Sequence, residues 1–363
     1  MTFTPLRYDP SLEQPAPDEA ETTATLIETM RGINETTFKD SGHGLRSVHA
    51  KSHALLLGEL HVLDGLPETL AQGAFAKPGT YQVAMRFSTN PGDVLDDAVS
   101  APRGLAIKIV GVEGERLEGS DGAATQDFVM ANAPAFGAPT PRAFLGNLKL
   151  LAKTTDAAQG LKKALSFVLR GTEAAIESVG LKSATVLSLG GQPLTHVLGE
   201  TFYTQTPFLH GPYVAKLSVA PVSANLTALT GSKVDVSGKP DGLREAATQA
   251  VSAEGGEWEV RVQLRTNADT MPIEDASAVW PEDESAYIAV ARITVPAQAA
   301  WSEARSAAYD DGLSFSPWHG LAAHRPLGGV NRARKPAYEM SVDLRGARNG
   351  CPMHEPRALE RLA

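Results

Sequence analysis

The sequence predicts an α+β protein: an antiparallel barrel or sheet with helices packed outside it. Three observations carry this reading. Four strand-like runs fall between residues 54 and 132, separated by Gly, Pro and Asp clusters that make turns, where parallel pairing would need crossovers that are usually helical. From residue 141 the apolar spacing becomes helical. Strand-like runs return between residues 213 and 295, and the chain then turns helical again, an order that sets helices against one antiparallel body.

Residues 1–20 are rich in proline and acid and read as an arm with little local structure. Residues 21–33 have helical spacing. Runs 54–62, 81–88, 104–112 and 126–132 read as strands, separated by Gly, Pro and Asp clusters that make turns. Residues 141–189 read as helix broken at Gly160, Gly171 and Gly180. Runs 213–222, 258–266 and 286–295 complete the strands, and 297–363 reads as largely helical. No internal repeat of fixed period is present, so residues 21–363 are expected to form a single domain.

The apolar and charged fractions, 42% and 21%, are those of a globular chain with a core of its own. A net charge of -9 argues against a nucleic-acid backbone as partner. The single Cys351 excludes an internal disulfide. The N-terminus lacks the basic and apolar regions of a secretory signal, and no apolar run is long enough to span a membrane, so a cytoplasmic location is the default expectation.

Near the C-terminus the chain reads Arg334-Lys335-Pro336-Ala337-Tyr338, with Arg345 seven residues on. In a helix, offsets of four and seven return to one face, so Arg334, Tyr338 and Arg345 would point together. Guanidinium groups favour the anionic form of a neighbouring phenol, and tyrosinate is among the few protein groups that hold haem iron.

Other chemistry-bearing residues gather in residues 46–144. His49 stands in Arg46-Ser47-Val48-His49-Ala50-Lys51, just before the first strand. The second strand ends Arg86-Phe87-Ser88-Thr89, and period two puts Arg86 and Ser88 on one face, which on this strand alone could simply meet solvent. The third begins Arg103-Gly104-Leu105-Ala106-Ile107-Lys108. The fourth runs Asp127-Phe128-Val129-Met130-Ala131-Asn132-Ala133-Pro134-Ala135-Phe136.

Taken in order, these motifs and the Arg334/Tyr338/Arg345 set resemble the haem catalases. The resemblance covers residues 46–144 and 331–345. It implies a catalase-like antiparallel β-barrel with surrounding helices and a haem b cofactor. By position, His49 matches the distal general acid–base, Ser88 its hydrogen-bonding partner and Val48 the residue narrowing the channel. Tyr338 matches the iron ligand and Arg334 the arginine on its phenolate. Arg46, Arg86 and Arg345 match the propionate-binding arginines. Phe144, eight residues after Phe136, matches the ring stacked on the haem.

The chain also departs from that pattern. The family's distal asparagine aligns with Ala131; Asn132, one residue on, would face the other way along a regular strand, but a small bulge would restore it, and it is kept as the candidate distal catalytic asparagine. Pro336 has no counterpart, and its missing N–H places the helix start there, with Arg334 on the leading turn. Equivalents of the long arms and extra domain of large catalases are not expected from these residues. These differences resemble the small catalase-related peroxidases, and the size is also similar to the catalase-fold allene oxide synthases. The expectation is a haem peroxidase that cleaves hydrogen peroxide or an organic peroxide and oxidises small organic reductants, with some catalase activity. The alternatives are rearrangement of a fatty-acid hydroperoxide, with the apolar stretch 161–189 bordering a lipid channel, and non-catalytic haem binding. Homo-oligomer formation is left open.

Overall fold

The computed structural model describes residues 4–120, 122–154, 193–350 and 353–360. Among these described residues, nine strands form one antiparallel sheet: β1 (Ser52–Val62), β2 (Gly79–Thr89), β3 (Arg103–Val110), β4 (Thr125–Ala131), β5 (Phe202–Tyr203), β6 (Phe208–His210), β7 (Tyr213–Pro221), β8 (Gly256–Leu264) and β9 (Ile288–Val295). The sheet closes on itself. Neighbours run β5-β4-β3-β2-β1-β9-β8-β7, and β5 pairs back onto β7, giving an eight-stranded antiparallel barrel. β6 makes a tight hairpin with β7, pairing His210 with Tyr213. Gly211, at φ 60°, supplies the left-handed turn residue.

Strand period two sorts the side chains. Leu56, Leu60, Val83, Met85, Phe87, Ile107, Ile109, Leu217, Val219, Val260, Val262 and Ile293 point inward with Trp258, all buried in one cluster. A barrel of this size is filled by its own side chains and has no lumen. The alternate residues of β1–β3 point outward. Leu55, Leu57, Ala84, Ala106 and Val110 meet Tyr309, Leu313, Phe315 and Leu359 in a second cluster. The barrel wall is thus apolar on both faces here, which explains near-continuous apolar runs where a one-sided sheet would alternate.

The seven longer strands match the expected runs within about two residues at each end. The short β5 and β6 had no readable period. The first helix, α1 (Glu19–Ser41), is longer than expected and ends on Gly42 at φ 68°. The arm before it is extended and pinned: Leu6 N–H donates to Arg265 O and Tyr8 N–H to Pro212 O. α2 (Pro141–Thr154) begins the expected helical stretch, while 155–189 lies outside the described residues, as does Cys351. α3 (Gly242–Ser252) packs against β1.

The C-terminal part holds less helix than expected. A one-turn helix at Glu303–Arg305 runs into a π-helical turn, Ser306–Asp311, and a non-repeating segment follows to Leu327. Gly312, Pro317, Gly320 and Pro326 interrupt regular structure there. The last helix, α4 (Gly329–Asn349), starts well before Pro336 and carries that proline in its interior. Tertiary bonds outweigh the local penalty. Gly328 N–H donates to Glu13, Gly329 N–H to Glu274, and the Arg332 guanidinium contacts Glu13, Glu19 and Glu274 at 2.7–3.0 Å. With its first turn fastened this way, the helix does not need Pro336 to start it.

Candidate functional site

α4, the loop before β1 and the outer face of β2–β4 enclose a cleft of about 640 Å³, including its open mouth. Ligand pockets span roughly 300–1,000 Å³. Arg46, Val48 and His49 enter it from the loop, Arg86 and Ser88 from β2, Gly104 and Ala106 from β3, Tyr338 and Arg345 from α4. Residues far apart in sequence therefore meet in one place. The face of Arg86 and Ser88 does not meet solvent: each is 3% exposed.

His49 is held by four contacts. Its N–H donates to Asn90 O at 2.6 Å, and its carbonyl accepts Arg86 Nη2 at 2.8 Å. Its Nδ1 lies 3.1 Å from Ser88 Oγ. The imidazole rests on Gly104, where an added Cβ would stand 2.5 Å from His49 Cε1. The backbone is left-handed at φ 56°, a conformation that a non-glycine residue keeps only when its surroundings hold it. Burial, then the positive Arg86, Arg334 and Arg46, push the imidazole pKa down to about 3. The ring is therefore neutral near pH 7. With Ser88 on Nδ1, Nε2 is the nitrogen left to accept a proton from a ligand.

Arg46, Arg86 and Arg345 form a cationic cluster at one edge of the cleft. Sequence reasoning missed its counter-ion, Asp310, in the π-helical turn. Arg86 Nε donates to Asp310 Oδ1 at 2.5 Å and Arg46 Nη1 to the same oxygen at 3.1 Å. Ser52 Oγ also donates to Oδ2 at 2.5 Å, and against the upward push of burial the Arg86 and Arg46 charges and this bond hold the carboxyl at about pKa 2. Arg345 bonds only the Asp310 carbonyl, Leu313 O and Met353 Sδ, and its buried Nε has no partner among the described residues. Burial and the neighbouring Arg86 lower its pKa to about 10. Three guanidiniums outnumber the two carboxylates near them, Asp310 and Asp311, and favour a further anion. An unpartnered Nε and a cleft of this size lined by a phenol and an imidazole fit a ligand that carries carboxylates.

The other expected residues lie outside the cleft lining. Asn132 accepts from Arg103 N–H at 3.0 Å and donates to Glu200 at 2.8 Å, so its amide is engaged beside the barrel seam. Phe136 and Phe144 pack together with centroids 5.0 Å apart. Phe144 borders the cluster of Met30, Ala333 and Ala337 that also touches Val48. The Arg334 guanidinium lies over Phe136 at 5.7 Å and reaches Thr206 Oγ1 at 3.3 Å, lining a smaller cavity of about 300 Å³ that shares Val129 with the cleft. Among the described residues, no hydrogen bond joins Arg334 to Tyr338.

A second polar cluster lies beside the cleft wall. Asp127, His319 and Glu355 bring their donor atoms within 4.8 Å of one another, as metal ligands would. Lys108 Nζ already stands there, 2.8 Å from Asp127 and 2.5 Å from Glu355. Its ammonium supplies the cation the carboxylates need.

No family model and no curated protein matches the chain. Solved structures do. A fungal catalase shares 19% identity with a TM-score of 0.58, covering 87% of this chain and 62% of that one. Catalase A from Saccharomyces cerevisiae shares 17% at 0.58, covering 86% and 63%. A bacterial catalase shares 17% at 0.57, covering 90% and 64%. The barrel with its surrounding helices is thus a catalase-like fold, and the chain spans less than two thirds of those chains.

Proposed function

We propose that this chain is a haem-dependent peroxidase of catalase-like fold, cleaving hydrogen peroxide or an organic peroxide and oxidising small organic reductants. The observation that carries the reading is a neutral, buried His49 bonded to Ser88 in one cleft with Tyr338 and the arginine cluster. Haem b would be held by Tyr338 on its iron and by Arg46, Arg86 and Arg345 on its carboxylates, and would supply redox chemistry for peroxide cleavage. His49 Nε2 takes the proton from one peroxide oxygen and returns it to the departing one, which leaves as water or an alcohol. The reductant gives up two electrons and two protons, with which the remaining peroxide oxygen leaves as water. Ser88 fixes which imidazole nitrogen faces the substrate, and Val48 narrows the approach.

Asn132 is engaged at the seam, so peroxide orientation falls to His49. Reaction with organic reductants is then the main activity, and disproportionation of hydrogen peroxide the slower one. Purified protein supplied with haem should show a Soret band and high-spin ferric phenolate features. Tyr338→Phe should lose or scramble them; an unchanged spectrum in that variant sinks the ligand assignment. Assays with hydrogen peroxide, a guaiacol-type reductant and a fatty-acid hydroperoxide separate peroxidase, hydroperoxide rearrangement and haem binding without turnover.

A further inference from the structure

Asp310 touches all three arginines of the cluster. Its Oδ1 accepts from Arg86 Nε at 2.5 Å and Arg46 Nη1 at 3.1 Å, and its carbonyl accepts from Arg345 Nη1 at 3.0 Å. Its Oδ2 accepts from Ser52 Oγ at 2.5 Å and Ser306 Oγ at 3.2 Å. It lies in the π-helical turn Ser306–Asp311, a conformation that is rare and often found at functional sites. The grip does not stop at the arginines. Arg86 Nη2, on the same guanidinium plane, donates to His49 O at 2.8 Å and to Ala50 O at 3.2 Å. A guanidinium is a rigid fork, so fixing Nε aims the rest of the group.

We propose that Asp310 is a positioning residue for His49: by holding Arg86 Nε it directs Arg86 Nη2 onto the His49 carbonyl and keeps that backbone left-handed, with the imidazole over the cleft. Without the carboxylate, Arg86 faces Arg46 and Arg345 uncompensated and is repelled from its place. The His49 carbonyl then loses its donor, and φ relaxes toward the ordinary region. The catalytic consequence rests on the function proposed above; the positional claim does not.

The test uses full-length protein labelled with 15N-histidine, without haem, with the His49 backbone signal identified by its loss in His49→Gln. Asp310→Asn keeps side-chain volume and an acceptor oxygen but removes the charge. It should move or broaden the His49 signal while the remote His61, His196 and His210 signals stay. Arg86→Lys, which keeps the charge but cannot bond Asp310 and the His49 carbonyl together, should do the same and decides the matter if Asp310→Asn does not fold. An unmoved His49 signal overturns the proposal, and so does a shift shared by all four histidines, which would report general loosening. In the haem-loaded protein Asp310→Asn should keep its Soret band and lose roughly a hundredfold in peroxide rate, the scale of about an ångström of misplacement. If wild type takes up no haem, the functional reading fails, and the histidine signals still decide the role of Asp310.

Discussion

Gly104 allows an imidazole to come up against a β-strand. Gly104→Ala would put a methyl 2.5 Å from His49 Cε1, and the ring is the part free to move. The variant should therefore lose at least about tenfold in peroxide rate while its melting temperature changes little; a full rate would place the reacting group elsewhere. The pH profile tests the same ring. A free histidine titrates near 6.5, whereas His49 is held down to about 3 by burial and its arginine neighbours. The peroxide rate should stay flat from pH 8 to pH 5, and a limb near 6.5 would refute a buried neutral base. His49, Ser88, Tyr338 and the three arginines could be read from sequence because each sits in a short ordered motif. Asp310 could not, because Arg86 and Arg46 are 224 and 264 residues away from it and no local pattern marks it.

Among the elements, α4 shows tertiary contacts overriding local preference. Pro336 leaves the Arg332 carbonyl without its helical donor, yet the helix runs through because Arg332 and its neighbours are fastened from outside. Pro336→Ala should stabilise the protein by roughly 1–3 kcal/mol, read as a higher urea midpoint; a lower one would show that the proline itself is needed. The C-terminal strap, residues 353–360, is held by Glu355 on Lys108, Thr125 and His319 and by Leu359 bonded at both N–H and carbonyl to Gln82. Burial lowers His319, but the Asp127 and Glu355 carboxylates, 3.5 and 3.0 Å from its Nδ1, overcome that and raise it to about 9, while the Glu355 carboxyl is pushed far down by His319 and Lys108. The raised histidine contributes stability that is complete below about pH 6.5 and lost as pH climbs through 9. The depressed carboxyl contributes fully above about pH 4.5 and loses its share only in strong acid. Thermal stability should thus fall between pH 7 and 10, and His319→Gln should flatten that slope. An equal slope in the variant would assign the alkaline loss to another group.

For the whole molecule, legibility followed strand length. Seven strands of seven to eleven residues declared themselves by composition and turn punctuation. The barrel is closed by β5, only two residues long and without a period to read. The burial of Arg86 and Ser88 was equally hidden, because it depends on α4 and the π-helical turn covering the outer wall. The interior itself is conventional packing. Trp258, fully buried and 6.1 Å from Phe87, should cost about 3–5 kcal/mol as Trp258→Ala, with cleft and barrel lost in one urea transition. A separate, earlier loss of the cleft would show that the outer helices unfold independently.

The short seam also sets a hierarchy of motion. β4 meets β5 through one residue pair, Ala131 with Tyr203, and β5 meets β7 through two. Every other junction in the ring has four or more paired positions. Transient opening of a closed sheet starts where the fewest bonds must break together. Amide protons of residues 131–132 and 202–204 should therefore exchange with deuterium before those of β1, β2 or β8. Asn132, bridging Arg103 and Glu200 across this gap, then acts as a clasp on the barrel, and Asn132→Ala should speed exchange at the seam while leaving β2 protected.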